Sequence, residues 1–224
     1  MGKDKLRRFR ENLTFDCFVQ PEFDEVFHCD HPLKGRWRSD FFRNDNPIVL
    51  ELGCGKGRFT AGMAAAEPDA LLCAVEKVPD AMVVAMERVR DAGLTNVRFL
   101  DRDAALLPEF FAPGEVSRIY INFPDPWPKK KQFKRRLTAP GFQKLYFDLL
   151  PPGGEVWLKT DNVMLYEWSL EQFQNCGWTL KEVTRDLHEH GIQGVMTDYE
   201  AKFHEQGVKI NRLVAVRGEV WPCE

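Results

Sequence analysis

Between Ile48 and Asp161 the chain alternates between two hydrophobic periods, and this alternation limits the fold more than any other feature. Short β-branched or apolar runs, IVLELG (48–53), ALLCAVEK (70–77), VRFLDRD (97–103), VSRIYINF (116–123) and EVWLKTD (155–161), are separated by stretches suited to helices: RFTAGMAAAE, PDAMVVAMERVRDAG, AALLPEFF and APGFQKLYFDLL. Strands that alternate with helices lie parallel, because each crossover returns the chain to the same end of the sheet. The expected fold class is therefore α/β, a doubly wound Rossmann-like sheet. Punctuation agrees: Pro79 stands at a helix start, Gly93 follows a helix end, and Thr138 is a candidate N-cap with Pro140 in the first turn. A helix (NVMLYEWSLEQFQ), a strand (TLKEVTRD), a loop from His188 to Gly207 and a last strand (VKINRLVAVRG) complete the expected order. Residues 1–45 look like an appended segment and 46–224 like one domain.

Composition narrows the function classes. The chain has 224 residues, 44% of them hydrophobic, which suffices for a sizeable core. No stretch approaches the roughly 18 uninterrupted apolar residues of a membrane span, and MGKDKLRRFREN has no apolar segment behind it, so a soluble cytoplasmic protein is expected. Six cysteines lie scattered without a C-x-x-C pair, as reduced thiols would. His28 and His31 in HCDH invite a metal reading, but no second ligand pair has suitable spacing and no metal is assigned. The net charge is −3, yet six of the eight residues from Lys129 to Arg136 are Lys or Arg, leaving −9 for the rest. Such a concentration points to an anionic partner, against the alternative of a solvated face.

The first strand runs into ELGCGKGRF, where Gly53, Gly55 and Gly57 are spaced G-x-G-x-G and Arg58 occupies the place of the third small residue of a dinucleotide fingerprint. NAD is thereby disfavoured. Glu51 before the turn repels a pyrophosphate and suits a cationic ligand such as S-adenosylmethionine, which carries an amino group and a sulfonium. Glu76, 23 residues past Gly53, ends the second strand with two oxygens for ribose hydroxyls. Asp103 ends the third and can accept from the adenine amino group. Taken singly, the glycines are also compatible with a simple tight turn, and the acids with solvated loops or helix N-caps. Together, in this order at these element ends, they resemble the class I S-adenosylmethionine-dependent methyltransferases.

Many amino-group methyltransferases end the fourth strand in N-P-P-Y; here it ends N-F-P-D-P-W-P, with Asn122 and Asp125 as polar members. The string NFPDPWPKKKQFKRRL, with ELGCGKG, KTD at 159–161 and TDYE at 197–200, resembles the bacterial tRNA (guanine-N7)-methyltransferase family from about Ile48 to the last strand. The resemblance implies a mostly parallel class I sheet with an antiparallel C-terminal strand. It implies methyl transfer from S-adenosylmethionine to N7 of a tRNA guanosine, in the variable loop at position 46. It places cofactor contacts on Glu51, Glu76, Asp103 and Asp125, substrate contacts on Lys129, Asp161, Thr197, Asp198, Tyr199 and Glu200, and RNA contacts on the segment from Lys131 through Lys134 and Arg135 to Arg136. Nothing is carried over to the N-terminal stretch, where LRRFR reads either as an extension of the same basic track or as a basic tail.

Guanine N7 has an in-plane lone pair and no proton at neutral pH, so it needs no general base and catalysis rests on positioning. Asp125 is the candidate catalytic residue: it can stabilise the cation that develops on guanine or hold the base by its N1 and N2 donors. Its other reading is to orient the loop through backbone N–H groups. Asp161 is equally placed to cap the next helix, and Glu200 to be a surface charge. Trp127, between two prolines, suits either stacking on an unpaired base or packing on the sheet edge. Rival readings are a methyltransferase for small molecules or proteins and a non-catalytic RNA-binding module. Monomer and homodimer are equally compatible with this sequence.

Overall fold

A computed structural model describes residues 14–21 and 29–222. The chain divides into two compact units that meet in sequence at Ala112 and Pro113.

In the first unit, four strands run in the order β1 (Phe18–Val19), β4 (Val97–Asp101), β3 (Leu71–Glu76), β2 (Ile48–Leu52), every pairing parallel. All five residues of β2 and the first five of β3 are buried, which is why both read as apolar runs without alternation. Register sets Leu52 beside Val75 and Glu76 beside Asp101, so the polar strand ends finish level. Helix α1 (Arg58–Ala66) buries Phe59, Met63 and Ala64; α2 (Pro79–Asp91) buries Met82, Val83, Met86 and Val89 and begins on its proline. Gly57, at the N-cap of α1, has φ +72°, and a Cβ there would stand 2.6 Å from the Ala85 Cβ, so the crossing with α2 admits only glycine.

The expected helix AALLPEFF is shorter than its pattern: a 3₁₀ turn (Ala104–Leu106) precedes α3 (Leu107–Phe110). The described part of residues 1–45 is built into this unit. Besides β1, Trp37 in a π-helical turn (Trp37–Phe42) is wholly buried, stacks on Phe111 at 5.1 Å and donates from Nε1 to the Phe110 carbonyl at 2.7 Å.

The second unit has the order β5 (Val116–Asn122), β6 (Glu155–Thr160), β8 (Asn211–Val216), β7 (Thr179–Thr184). β5 and β6 are parallel, and β8 runs antiparallel to both its neighbours, as expected of the C-terminal strand. Helices α4 (Pro140–Leu149) and α5 (Val163–Asn175) contribute buried Tyr146, Phe147, Leu149, Leu165, Tyr166 and Phe173. Two local expectations change. The N-cap of α4 is Ala139, while the buried Thr138 hydroxyl shares a 2.7 Å hydrogen bond with Ser169. The stretch 188–207, expected as loop, contains α6 (Asp198–Glu205), which opens on a capping box of Thr197 and Glu200. Among the described residues no helix is long and apolar enough to cross a membrane.

Candidate active site

In the first unit the glycine turn is tied to the end of β3. Gly53, Gly55 and Gly57 all have positive φ, a backbone path that side chains resist. The Gly53 and Cys54 amides donate to the Val75 carbonyl at 2.8 and 3.2 Å, and the Gly55 amide donates to Glu76 Oε2 at 3.0 Å. Glu76 Oε1 accepts from the Lys77 and Val78 amides at 2.8 and 2.9 Å. A carboxylate oxygen has two lone pairs, so Oε1 is filled and Oε2 keeps one acceptor for a ligand. Nothing lies within 4 Å of a Cβ placed on Gly53 or Gly55, leaving the backbone open to close approach.

Glu51 is buried and accepts from the Thr60 hydroxyl at 2.5 Å. Burial pushes the neighbouring Cys54 thiol well above its usual pKa, and the charges of Glu51 and Glu76 push it the same way, so it stays neutral. Asp103 caps the 3₁₀ turn by accepting from the Ala105 amide at 3.0 Å, with the Lys77 ammonium at 3.5 Å. The sequence reading passed over Asp101, beside Glu76 in register. Burial raises its pKa, while Arg102 and a 2.8 Å hydrogen bond from Gln20 oppose the shift.

In the second unit β5 delivers Asn122 into the segment 123–128, where Phe123 (φ +51°) and Trp127 (φ +40°) each precede a proline. Positive φ costs an aromatic residue on the order of 1–3 kcal/mol and persists only where surrounding contacts over-determine it. Here the Phe123 amide donates to the Lys159 carbonyl at 2.8 Å, and Arg136 donates to the Pro126 and Trp127 carbonyls at 2.9 and 3.2 Å. Asp125, between them, is exposed, and its carboxylate has no hydrogen-bond or ion-pair partner among the described residues. It therefore does not orient the loop.

The basic segment forms a 3₁₀ turn (Lys130–Arg135). Lys129, Lys130, Lys131, Lys134 and Arg135 are exposed, and the Arg135 guanidinium lies 5.1 Å from the centre of the Trp127 ring. Arg136 departs from the expectation of an RNA-facing cation. It is wholly buried: Nε and Nη2 donate to the loop carbonyls, and two aromatic rings pack against its plane.

Asp161 is half-buried at the end of β6. Capping of α5 falls to Asn162, whose Oδ1 accepts from the Leu165 amide at 2.9 Å, so the Asp161 carboxylate is left without a partner among the described residues. The TDYE segment separates by role. Asp198 and Tyr199 are exposed, and Phe203 bridges Tyr199 and Phe123 with ring centres 6.4 and 5.9 Å away. Thr197 and Glu200 close the capping box. Glu200, far from being a surface charge, is wholly buried with the Lys159 ammonium at 2.6 Å and His188 Nε2 at 3.0 Å. Lys159 and His188 were not anticipated; the T-x-x-E spacing inside TDYE was the available signal for this helix start. Among the described residues no group of His, Cys, Asp and Glu is placed to hold a metal ion, and His28 lies outside them.

A family model described as "Putative methyltransferase" matches residues 45–213. The chain is 46% identical over 183 residues to a tRNA (guanine-N(7)-)-methyltransferase of Streptococcus suis, covering 81% of this chain and 86% of that one. The chain belongs to the tRNA (guanine-N7)-methyltransferase family. A family member of Listeria monocytogenes is 45% identical, and one of Lactococcus lactis 46%, each over 81% of this chain and 85% of its own length. At the level of fold, the chain is similar to the 16S rRNA methyltransferase KamB, with a TM-score of 0.64, 18% identity and coverage of 89% of this chain and 96% of that one. It also resembles a 16S rRNA (adenine(1408)-N(1))-methyltransferase with the cosubstrate S-adenosylmethionine, with a TM-score of 0.54, 12% identity and coverage of 77% and 85%. The fold is thus the doubly wound, mostly parallel sheet of the class I methyltransferases. The family's cofactor, S-adenosylmethionine, suits the first unit: an open glycine turn, a buried acid, and the unfilled acceptor of Glu76 match a cationic amino acid joined to a nucleoside.

Proposed function

We propose that this protein transfers the methyl group of S-adenosylmethionine to N7 of a guanosine in tRNA, in the variable loop at position 46, and that it works in the cytoplasm. The observation that carries the reading is the carboxylate of Asp125, without a partner among the described residues, exposed on a strained, pinned loop and followed directly by five exposed cations. The cofactor supplies an electrophilic methyl on a sulfonium.

Glu51, Glu76, Asp103 and the backbone of Gly53, Gly55 and Gly57 hold and orient that donor, with Asp125 as a further contact. With that donor bound, the N7 lone pair would take the methyl while the S–C electron pair stays on the departing neutral thioether, so that positive charge passes to the imidazole ring of guanine. No proton leaves, so no general base is required. Asp125 faces the base, where a fixed carboxylate favours the developing cation or accepts from N1 and N2. Asp161, Asp198, Tyr199 and Lys129 line the base and its sugar-phosphate, and Thr197 and Glu200 shape the helix that presents Tyr199. Lys131, Lys134 and Arg135 meet backbone phosphates, which fixes the register of the tRNA without reading its sequence. Residues 1–45 add to the RNA-contacting surface, and LRRFR lies outside the described residues.

Incubation of purified protein with labelled S-adenosylmethionine and unmodified tRNA, then digestion to nucleosides, tests the reading. Label in N7-methylguanosine is expected. Label in another nucleoside, or in a metabolite pool and not in tRNA, would exclude it.

A further inference from the structure

The basic run ends on a cation that faces inward. Arg136 Nε donates to the Pro126 carbonyl at 2.9 Å and Nη2 to the Trp127 carbonyl at 3.2 Å, so one planar fork grips the carbonyls on both sides of a residue with positive φ. The guanidinium carbon sits 3.7 Å from the centre of the Phe133 ring and 4.4 Å from that of Trp168, and Nη2 also reaches the Met164 sulfur at 3.6 Å. No carboxylate pairs with it among the described residues, and Nη1 has no acceptor there. A buried guanidinium balanced only by carbonyl dipoles and ring faces is costly for a fold to keep.

The segment it grips explains the need. Pro124, Pro126 and Pro128 have no N–H, so the loop that carries Asp125 has few donors with which to tie itself down, and its carbonyls are what a neighbour can hold. We infer that Arg136 is the positioning residue of the Asp125 loop, clamping it in its strained conformation, and is not a phosphate contact. This rests on the proposed methyl transfer, in which Asp125 meets the guanine.

The test compares full-length wild type with Arg136→Lys and Arg136→Met. Lysine keeps the charge but loses the planar fork. A clamp predicts that both variants lose single-turnover methylation rate at saturating tRNA, by on the order of 10²-fold for a misplaced catalytic group. It further predicts unchanged tRNA affinity and salt dependence, with faster amide exchange confined to residues 123–128. If Arg136→Lys keeps the full rate, the clamp is overturned. It is equally overturned if Arg136→Met leaves the rate intact and lowers the salt slope by roughly 0.7–0.9, the signature of one lost phosphate contact. Should Arg136→Met fail to fold, the lysine variant alone decides. If wild-type protein forms no N7-methylguanosine, the functional reading fails separately, and unchanged exchange at 123–128 in Arg136→Lys would still refute the clamp.

Discussion

Three acids of the first unit, Glu51, Glu76 and Asp103, are held, whereas Asp125 and Asp161 of the second are not. Glu51 accepts a buried hydroxyl, Glu76 accepts three backbone amides and Asp103 caps a turn; Asp125 and Asp161 have no partner among the described residues. A carboxylate already engaged by the backbone is fixed before its ligand arrives, and removing it also removes structure. A carboxylate without partners contributes little to the fold, and its acceptors are open to what binds. Substituting Glu51, Glu76 or Asp103 should therefore cost both cofactor affinity and stability, and substituting Asp125 should cost chiefly rate.

The largest expected effect comes from the second unit. Asp125→Ala should lower the single-turnover methylation rate by about 10²–10³-fold, the scale of losing one pre-organised electrostatic group. Melting temperature and tRNA affinity should stay at wild-type values. A drop in melting temperature as large as that of a Glu76 variant would erase the contrast between the units.

Glu76→Ala is next. Loss of a charge-assisted hydrogen bond should weaken S-adenosylmethionine binding by about 1.5–3 kcal/mol in calorimetry. Three amides lose their acceptor at once, so this variant should also melt earlier without cofactor. Wild-type affinity would remove Glu76 from the cofactor site; wild-type melting would show that the turn does not need it.

A smaller effect is expected from the exposed cations. Neutralising Lys131, Lys134 and Arg135 together should weaken tRNA binding about tenfold at moderate salt and lower the salt slope by roughly 2, since each phosphate contact contributes about 0.7–0.9. Cofactor affinity should not change. An unaltered slope would make the run a solvated face.

These contrasts also mark what the sequence could reveal. The parallel strands were legible because buried strands leave continuous apolar runs, and the acids at their ends because a strand that stops being buried stops being apolar. The pattern could not separate Arg136 from Arg135. The two are the same residue type side by side, and only Phe133 and Trp168, which lies 32 positions further on, make one of them internal. Helix α6 was missed because eight residues with few apolar positions carry a weak period, though its capping box was spelled out in T-D-Y-E. Thr138 looked like a cap because threonine often is one; its hydroxyl is claimed by Ser169, a long-range contact that no local rule contains.

The smallest expected effect concerns Asp101. Burial first, and the Glu76 charge to a lesser degree, raise its pKa against the opposing pull of Arg102 and Gln20. The folded state then binds this proton more tightly than the unfolded one. The stabilisation is fully present below the unfolded value and is lost as pH rises through the raised folded value. Asp101→Asn should therefore melt no lower than wild type at neutral pH and show a shallower pH dependence through the mildly acidic range. A lower neutral melting temperature would mean that the charged form is stabilising.

The central claim, that Asp125 assists methyl transfer to N7 of a guanosine in tRNA, is tested most directly by locating the methylated residue. Borohydride reduces the cationic imidazole ring of N7-methylguanosine, the weakened base is lost, and aniline then cleaves the strand at that point. Treatment of tRNA after incubation with wild type and with Asp125→Ala, side by side, should give one cleavage in the variable loop for the wild type and almost none for the variant after the same short time. Cleavage elsewhere, no cleavage despite incorporated label, or equal cleavage by the two proteins would contradict the account.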